Sequence, residues 1–304
     1  MSTTVAFVGL GHMGGPMAAN LVKAGHRVLG FDLVPGLLEA AVSAGVEAAG
    51  TAAEAAAEAD VVVTMLPAGR HVLALYGEQG LLAAARPGTL FIDCSTIDVA
   101  DARTAHEAVV AAGHRALDAP VSGGVVGAEA ATLTFMAGGG EAEFAAAEPL
   151  LGAMGRKAVY CGGPGTGQAA KICNNMILAI SMIGVSEAFV LAESLGLDHQ
   201  ALYDVASTAS GQCWALTVNC PVPGPVPASP ANRDYRPGFA APLMAKDLGL
   251  AANALRAGGV DAPLGLKAAE MYTAFAAAEG AELDFSAIVR TLRPHGPDRN
   301  GTPA

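Results

Sequence analysis

The chain is 304 residues long, about the length of one large domain or two medium-sized domains. Hydrophobic residues make up 52% of it and charged residues only 15%, a composition that excludes an intrinsically disordered chain. The formal net charge of −11 argues against a surface for nucleic acids or anionic membranes, because both are negatively charged. We therefore expect a globular protein with no nucleic-acid partner and no membrane partner.

The N-terminus leads directly into an apolar segment and lacks the basic and apolar regions of a signal peptide, so we expect a cytoplasmic protein. The five cysteines form no CxxC pair and indicate reduced thiols. No His, Cys or carboxylate cluster has metal-ligand spacing, so we expect no metal site. The most apolar stretch, 176–192, is interrupted by Ser181, Ser186 and Glu187, which favours a buried helix over a membrane span.

The first half of the chain alternates short apolar strands with helical segments. Strands are predicted at 4–9, 26–32, 59–66, 89–93, 116–121, 132–137 and 158–160. Helical spacing lies between several of them, at 16–24, 52–59 and 99–112. This alternation predicts an α/β fold with a parallel, doubly wound sheet, and we interpret residues 1–163 as a Rossmann domain.

The second half is predicted to be an all-α domain spanning 164–293. A long helix follows the glycine-rich segment 162–167, reaches about Leu195 and ends at Gly196, which has the features of a C-cap. Further helices are predicted at 198–209, 240–257 and 264–279. Between Cys220 and Pro237 there is too much proline for a helix, so we predict an extended strap. The polar tail, 294–304, is expected to be disordered.

A glycine-rich turn between the first strand and the first helix has the form of a dinucleotide-binding loop. Gly9-Leu10-Gly11-His12-Met13-Gly14 matches G-x-G-x-x-G, which places a tight turn, a close backbone approach and a helix packing point at its three glycines. Asp32 ends the second strand 18 residues after Gly14, where a carboxylate can accept both ribose hydroxyls and repel a 2′-phosphate. The pattern predicts an NAD site. The alternatives are a glycine turn without a ligand and a solvated carboxylate.

The start of the long helix carries a lysine and an amide in an apolar setting. Lys171 and Asn175 are four residues apart and therefore share a helix face. A helix lysine is usually a solvated surface group. Burial would lower the pKa of the amine and make it a candidate for proton transfer.

Four segments, taken in order, resemble the signatures of the β-hydroxyacid dehydrogenase family: 9–14, 118–124, 165–175 and 246–251. The resemblance extends from about residue 4 to 290. It implies that the first domain binds the dinucleotide, and that the helical domain closes the site and mediates a homodimer or homotetramer. By this resemblance Lys171 matches the catalytic lysine and Asn175 its supporting amide.

The same resemblance assigns further positions. The segment that holds the substrate carboxylate is matched by Ser122, Gly123 and Gly124. Positions that line the cofactor are matched by Leu66, Pro67, His71 and Thr96, the last of them near the nicotinamide. Lys246 matches a second lysine that reaches the substrate and cofactor from the helical domain. The structural alternatives are a flexible turn for 122–124, a strand end stopped by proline for 65–67, and a surface lysine beside Asp247 for Lys246.

The resemblance implies an NAD-dependent 3-hydroxyacid dehydrogenase that takes a small hydroxyacid, with Lys171 as general acid/base. The segment 213–224, the strap and 233–239 resemble the branch that oxidises 3-hydroxyisobutyrate to methylmalonate semialdehyde in valine breakdown. Trp214 and the strap are then expected to wall the pocket with apolar surface. Two alternatives stay open: a tartronate-semialdehyde or glyoxylate-type reductase of the same family, and a non-catalytic dinucleotide-binding module.

Overall fold

The computed structural model describes residues 2–293, so the tail predicted to be disordered lies outside the described residues. The chain divides into two units, Met1–Ile172 and Cys173–Ala304. The division falls inside the helix that begins at Thr166. The first turn of this helix belongs to the first unit, because it is hydrogen-bonded to Asp118 of that unit. The predicted domain boundary after residue 163 lies just before this helix and stays a prediction.

The first unit is built on one sheet. Its strands are β1 Thr4–Val8, β2 Arg27–Phe31, β3 Glu47–Ala48, β4 Val61–Thr64, β5 Leu90–Asp93, β6 Arg115–Asp118, β7 Val121–Ser122, β8 Leu133–Gly139 and β9 Gly155–Gly162. Their order is β3-β2-β1-β4-β5-β6-β8-β7, with β9 paired to β8. The pairs from β3 to β6 are parallel, which confirms the predicted α/β class.

The sheet departs from the prediction at its far end. Strand β8 is antiparallel to β6 and β7, so the sheet is mostly but not wholly parallel. The predicted strand 116–121 is two strands, interrupted at Ala119 and Pro120, because proline has no N–H to donate to a ladder. Strand β3 was not predicted; it has two residues and both are exposed, so no apolar pattern marks it.

Helices cover both faces of this sheet. They are α1 Gly14–Lys23, α2 Pro35–Ser43, α3 Ala52–Glu58, α4 Gly69–Tyr76, α5 Leu81–Ala84, α6 Val99–Ala111, α7 Gly124–Glu129, α8 Glu141–Met154 and the start of α9 Thr166–Ser194. Along β1, Val5 and Phe7 pack into one core cluster while Ala6 and Val8 pack into another. Burying a Val or Phe side chain contributes about 1.5–3 kcal/mol, so this double burial fixes β1 at the centre of the sheet.

The second unit contains helices and loops in its described part. After α9 come α10 His199–Ala206, α11 Trp214–Thr217, α12 Ala241–Gly258, α13 Pro263–Ala277 and α14 Val289–Leu292, with 3-10 helices at Pro230–Arg233 and Phe285–Ile288. The long predicted helices are confirmed. Helix α9 ends as predicted, since Gly196 has a φ of +74° and the N–H of Leu197 donates back to the carbonyl of Ala192.

The proline-rich strap is not simply extended. It contains the 3-10 helix Pro230–Arg233 and is fixed to its own flank by two side chains. Ser229 Oγ donates to the carbonyl of Cys220 at 2.6 Å, and Tyr235 Oη donates to the carbonyl of Pro221 at 2.7 Å. The strap is therefore a packed, internally bonded loop.

Helix α9 has the length and composition of a membrane-spanning helix, and a third of its most apolar stretch is buried. The core helix of a soluble protein can have the same length and composition. Ala179, Met182 and Phe189 are buried, whereas Ile177 and Leu191 are 64% and 59% exposed. The predicted burial therefore applies to one stripe of the helix and not to its whole circumference.

Candidate active site

Four predicted cofactor segments meet at one edge of the sheet. Gly9 follows β1, Asp32 follows β2, Leu66 lies just beyond β4 and Thr96 just beyond β5. These strands are parallel neighbours in the order β2-β1-β4-β5, so their carboxyl ends lie side by side. Ligands of open α/β sheets bind at this edge.

The glycine-rich loop has the shape that a dinucleotide requires. A methyl group added at Gly9 would collide with the carbonyl oxygen of Met65, and one added at Gly14 with the carbonyl oxygen of Gly9. By contrast, a methyl group added at Gly11 would meet nothing within 4 Å. Gly9 and Gly14 are therefore required by packing. The backbone at Gly11 stays open to an approaching group, as a pyrophosphate site demands.

Asp32, predicted to bind the ribose, also holds the glycine-rich loop. Its Oδ2 accepts a hydrogen bond from the N–H of Leu10 at 2.7 Å, and its Oδ1 accepts one from the N–H of Val34 at 2.8 Å. A carboxylate oxygen has further lone pairs, so these bonds leave acceptor capacity for ribose hydroxyls.

The remaining cofactor positions lie on the loops after β4 and β5. Leu66 is half-buried and Pro67 exposed, and His71 lies in the first turn of α4. The Nδ1 atom of His71 is buried without a hydrogen-bond partner among the described residues. It is one of six such side-chain atoms among the described residues, and it is compatible with a bound group that supplies the partner.

The loop after β5 is held by a buried carboxylate. Asp93 Oδ1 accepts hydrogen bonds from Ser95 Oγ at 2.6 Å and from Thr64 Oγ1 at 2.8 Å. Ser95 Oγ in turn accepts from the N–H of Leu66 at 2.8 Å, so one serine joins both loops. Burial raises the pKa of Asp93 to about 6, against the opposing effect of these hydrogen bonds.

A second buried carboxylate holds the start of α9. Asp118, at the end of β6, accepts from the N–H of Gly165 at 2.8 Å and from the N–H of Gln168 at 2.9 Å. Burial raises the pKa of Asp118, and these backbone hydrogen bonds oppose that shift. The first N–H groups of a helix have no partner within the helix, so the carboxylate satisfies donors that would otherwise be unpaired.

Lys171 and Asn175 lie one turn apart on α9 and are 7% and 2% exposed. The lysine is therefore buried, against the usual surface position of this residue type. Asn175 Nδ2 donates to Asp247 Oδ2 at 2.6 Å, and its Oδ1 accepts from Asn174 Nδ2 at 3.0 Å. The amide predicted to contact lysine or substrate is itself fixed by a buried carboxylate on α12.

The predicted carboxylate-binding segment is a constrained turn. Ser122 ends β7 opposite Thr134 of β8, and Gly123 and Gly124 follow with φ angles of +138° and +63°. Both angles strongly favour glycine, so the segment is not a freely flexible linker. Lys246 lies half-buried on α12, and Trp214, at the start of α11, is 51% exposed.

Residues 4–163 match a family model described as the NAD binding domain of 6-phosphogluconate dehydrogenase. Residues 165–292 match one described as NAD-binding of NADP-dependent 3-hydroxyisobutyrate dehydrogenase. A Mycobacterium tuberculosis protein named probable 3-hydroxyisobutyrate dehydrogenase is 58% identical over 96% of this chain and 98% of its own length. The chain belongs to the 3-hydroxyisobutyrate dehydrogenase family.

Two further matches carry L-serine in their names. The solved structure of the Mycobacterium tuberculosis 3-hydroxyisobutyrate dehydrogenase with L-serine has a TM-score of 0.94 at 57% identity, covering 97% of this chain and 100% of that one. An NAD-dependent L-serine dehydrogenase from Pseudomonas aeruginosa is 48% identical over 95% of this chain and 98% of its own length. This member is thus an NAD-dependent hydroxyacid dehydrogenase, which confirms the predicted family, enzyme class and cofactor.

Sequence reasoning missed the residues that hold the site together. Asp93, Asp118, Gln168 and Asp247 are all buried polar side chains, and none of them was assigned a role. A glutamine and a lysine in the first turns of an apolar helix were a usable signal. The hydrogen-bond partners of Asp118 and Gln168 lie 47 to 73 residues away along the chain, so no local pattern reveals them.

Asp32 should make this family member prefer NAD. We expect kcat/KM with NAD to exceed that with NADP by about tenfold or more, worth roughly 1.4 kcal/mol, because the carboxylate repels a 2′-phosphate. Asp32→Ser should narrow this gap, mainly by weakening NAD. The measurement is kcat/KM for both cofactors at a saturating hydroxyacid concentration. Equal or better use of NADP by the wild type would show that this site is misinterpreted.

Proposed function

We propose that this enzyme oxidises 3-hydroxyisobutyrate to methylmalonate semialdehyde, with Lys171 as general base. The observation that carries the proposal is the burial of Lys171, at 7% exposure, in the first turns of a helix whose start is fixed at the cofactor edge of the sheet. The similarity to a protein named probable 3-hydroxyisobutyrate dehydrogenase supports the choice of substrate.

Hydroxyacid oxidation requires little covalent chemistry from the protein itself. Bound NAD supplies the acceptor for the hydride that leaves the carbinol carbon. The hydroxyl proton passes to the neutral amine of Lys171, and in the reverse direction the ammonium returns it.

The remaining residues orient the substrate. Ser122 and the N–H groups of Gly123 and Gly124 are proposed to hold the carboxylate, with Lys246 as a further cation. The left-handed turn at the two glycines fixes the direction of those N–H groups before substrate binds, which lowers the entropy lost on binding. Asn175, held by Asp247, is proposed to support the reacting groups.

L-serine is the second candidate substrate. It is also a 3-hydroxyacid and differs from 3-hydroxyisobutyrate by an ammonium group in place of a methyl group. The relative named NAD-dependent L-serine dehydrogenase and the related structure with L-serine favour it. We place it second because a relative named probable 3-hydroxyisobutyrate dehydrogenase has the higher identity, 58% against 48%.

A panel of hydroxyacids tests the position of the oxidised hydroxyl. We expect 3-hydroxyisobutyrate to have the highest kcat/KM, with 3-hydroxypropionate lower but measurable, because one methyl in an apolar pocket contributes about 1–3 kcal/mol. Lactate, a 2-hydroxyacid, should be the poorest, since its hydroxyl is one carbon nearer the carboxylate. The measurement is NADH formation with each of these three acids and with glycerate, at a fixed NAD concentration. Lactate or glycerate in first place would contradict the proposal and favour a reductase of the glyoxylate or tartronate-semialdehyde type.

Three further features are proposed with this function. A role in valine breakdown follows from the proposed substrate and stays a prediction, as does the cytoplasmic location. A homodimer or homotetramer is supported by the exposed apolar side chains of α9, Ile177 and Leu191 among them, which a second copy of the chain could cover.

A further inference from the structure

Gln168 holds both peptide groups that flank Thr96. Its carboxamide is fully buried in the first turn of α9. Oε1 accepts a hydrogen bond from the N–H of Ile97 at 3.1 Å, and Nε2 donates to the carbonyl of Ser95 at 2.7 Å. One side chain therefore uses both its donor and its acceptor to fix the loop that carries the residue assigned to the nicotinamide.

The backbone of Gln168 is fixed as firmly as its side chain. Its N–H donates to Asp118 Oδ2, and the N–H of Gly165 donates to the other oxygen of the same carboxylate. Lys171 follows three residues later, about one helical turn and 4.5 Å along the axis. Gln168 thus joins the loop that carries Thr96 to the turn that carries Lys171, within one compact unit.

The loop is held from its other side by Asp93. Ser95 donates to Asp93 through both its N–H and its Oγ, at 3.1 and 2.6 Å. These bonds do not depend on Gln168. Loss of the Gln168 carboxamide should therefore loosen the loop at Thr96 without releasing it from β5.

We propose that Gln168 is a positioning residue that sets the distance between Thr96, at the cofactor, and Lys171, at the substrate hydroxyl. The inference rests on the proposed function, in which Lys171 takes the hydroxyl proton. Hydride and proton leave the same carbinol group, so the cofactor and the base must be held in a fixed relation. A displacement of about 1 Å can lower the rate as much as 100-fold.

Two substitutions separate positioning from folding. Gln168→Met keeps the length of the side chain and removes both hydrogen bonds. Gln168→Glu cannot donate to the carbonyl of Ser95 when ionised, whereas its protonated form can donate there and accept from Ile97. The kcat is measured between about pH 6 and pH 9 on the hydroxyacid that the wild type oxidises fastest. It is expressed per enzyme molecule with NAD bound, that is, per bound NAD. The matched control is Gln79→Met, the same change at an exposed position of the same unit.

We expect Gln168→Met to lower kcat about tenfold or more at every pH, with the Kd for NAD within about threefold of wild type. Relative to wild type at the same pH, Gln168→Glu should show a similar loss of kcat at pH 9. This loss should be at least threefold smaller at pH 6. Gln79→Met should match wild type throughout. If Gln168→Met does not fold, the pH dependence of Gln168→Glu decides.

A Gln168→Met enzyme that keeps more than half of the wild-type kcat per bound NAD overturns the inference. A ratio of Gln168→Glu to wild type that is constant with pH overturns it as well. Lys171→Ala is measured alongside. A wild-type rate in Gln168→Met beside an inactive Lys171→Ala refutes the positioning role alone, whereas an active Lys171→Ala refutes the proposed function and this inference together.

Discussion

Lys171→Ala should lower kcat about 100-fold or more, the usual contribution of a positioned proton-transfer group. The Kd for NAD should change little, because the glycine-rich loop after β1 is separate from α9. The rate of oxidation by the wild type should rise toward alkaline pH, since only the neutral amine can accept a proton. Pre-steady-state NADH formation gives the rate of the chemical step, and fluorescence titration gives the Kd.

Lys267→Ala is the matched control for this change. Lys267 is an exposed lysine on α13, paired with Glu270 at 2.9 Å on the surface. Its loss should leave both kcat and the Kd for NAD at the wild-type value, because exposed ion pairs contribute little. A Lys171→Ala enzyme with more than half of the wild-type rate, measured where chemistry limits turnover, would show that another group moves the proton.

Gly11→Ala and Gly14→Ala should fail in different ways. At Gly11 there is open space for a methyl group, so the variant should fold with an unchanged Tm and bind NAD about tenfold or more weakly, because the methyl group occupies the approach of the pyrophosphate. At Gly14 the methyl group would collide with the backbone of Gly9, and such overpacking costs about 1–3 kcal/mol of unfolding free energy. Thermal unfolding and NAD titration measure the two effects.

Gly36→Ala serves as the control for both glycines. Gly36 lies in α2, and a methyl group added there also meets nothing within 4 Å. Its replacement should leave NAD binding unchanged, because it lies outside the G-x-G-x-x-G loop. Wild-type NAD affinity in Gly11→Ala would place the pyrophosphate away from this loop, and an unchanged Tm in Gly14→Ala would contradict the close packing of Gly14 against the carbonyl of Gly9.

Local patterns were sufficient for much of this fold. The period of the apolar residues predicted β1, β2, β4 and β5 and the long helices, and the position of Gly9–Gly14 between strand and helix predicted a cofactor loop at the carboxyl edge. The two-residue strand β3, the break at Ala119 and Pro120, and the antiparallel direction of β8 were not predicted. A pair of exposed residues has no apolar period, and the antiparallel return of β8 depends on pairing between distant segments.

The candidate site shows the same division. The sequence suggested Lys171 from its apolar neighbours, but only tertiary structure shows that the residue is buried. Asp118 and Gln168 act through partners far along the chain, and Asp93 joins the nearby Ser95 to Thr64 of the neighbouring strand, so no spacing rule could connect these contacts. Asp32 was assigned to the ribose, and its bond to the N–H of Leu10 appears only when β1 and β2 are placed side by side.

The most direct test of the proposed substrate is a comparison of 3-hydroxyisobutyrate with L-serine as the single hydroxyacid in an NAD-dependent assay. Both place the hydroxyl on the third carbon, so the comparison isolates the group on the second carbon. We expect kcat/KM to be about tenfold or more higher for 3-hydroxyisobutyrate, which corresponds to roughly 1.4 kcal/mol in favour of the methyl group. An equal or higher kcat/KM for L-serine would contradict the proposed substrate and make this member of the family a serine dehydrogenase.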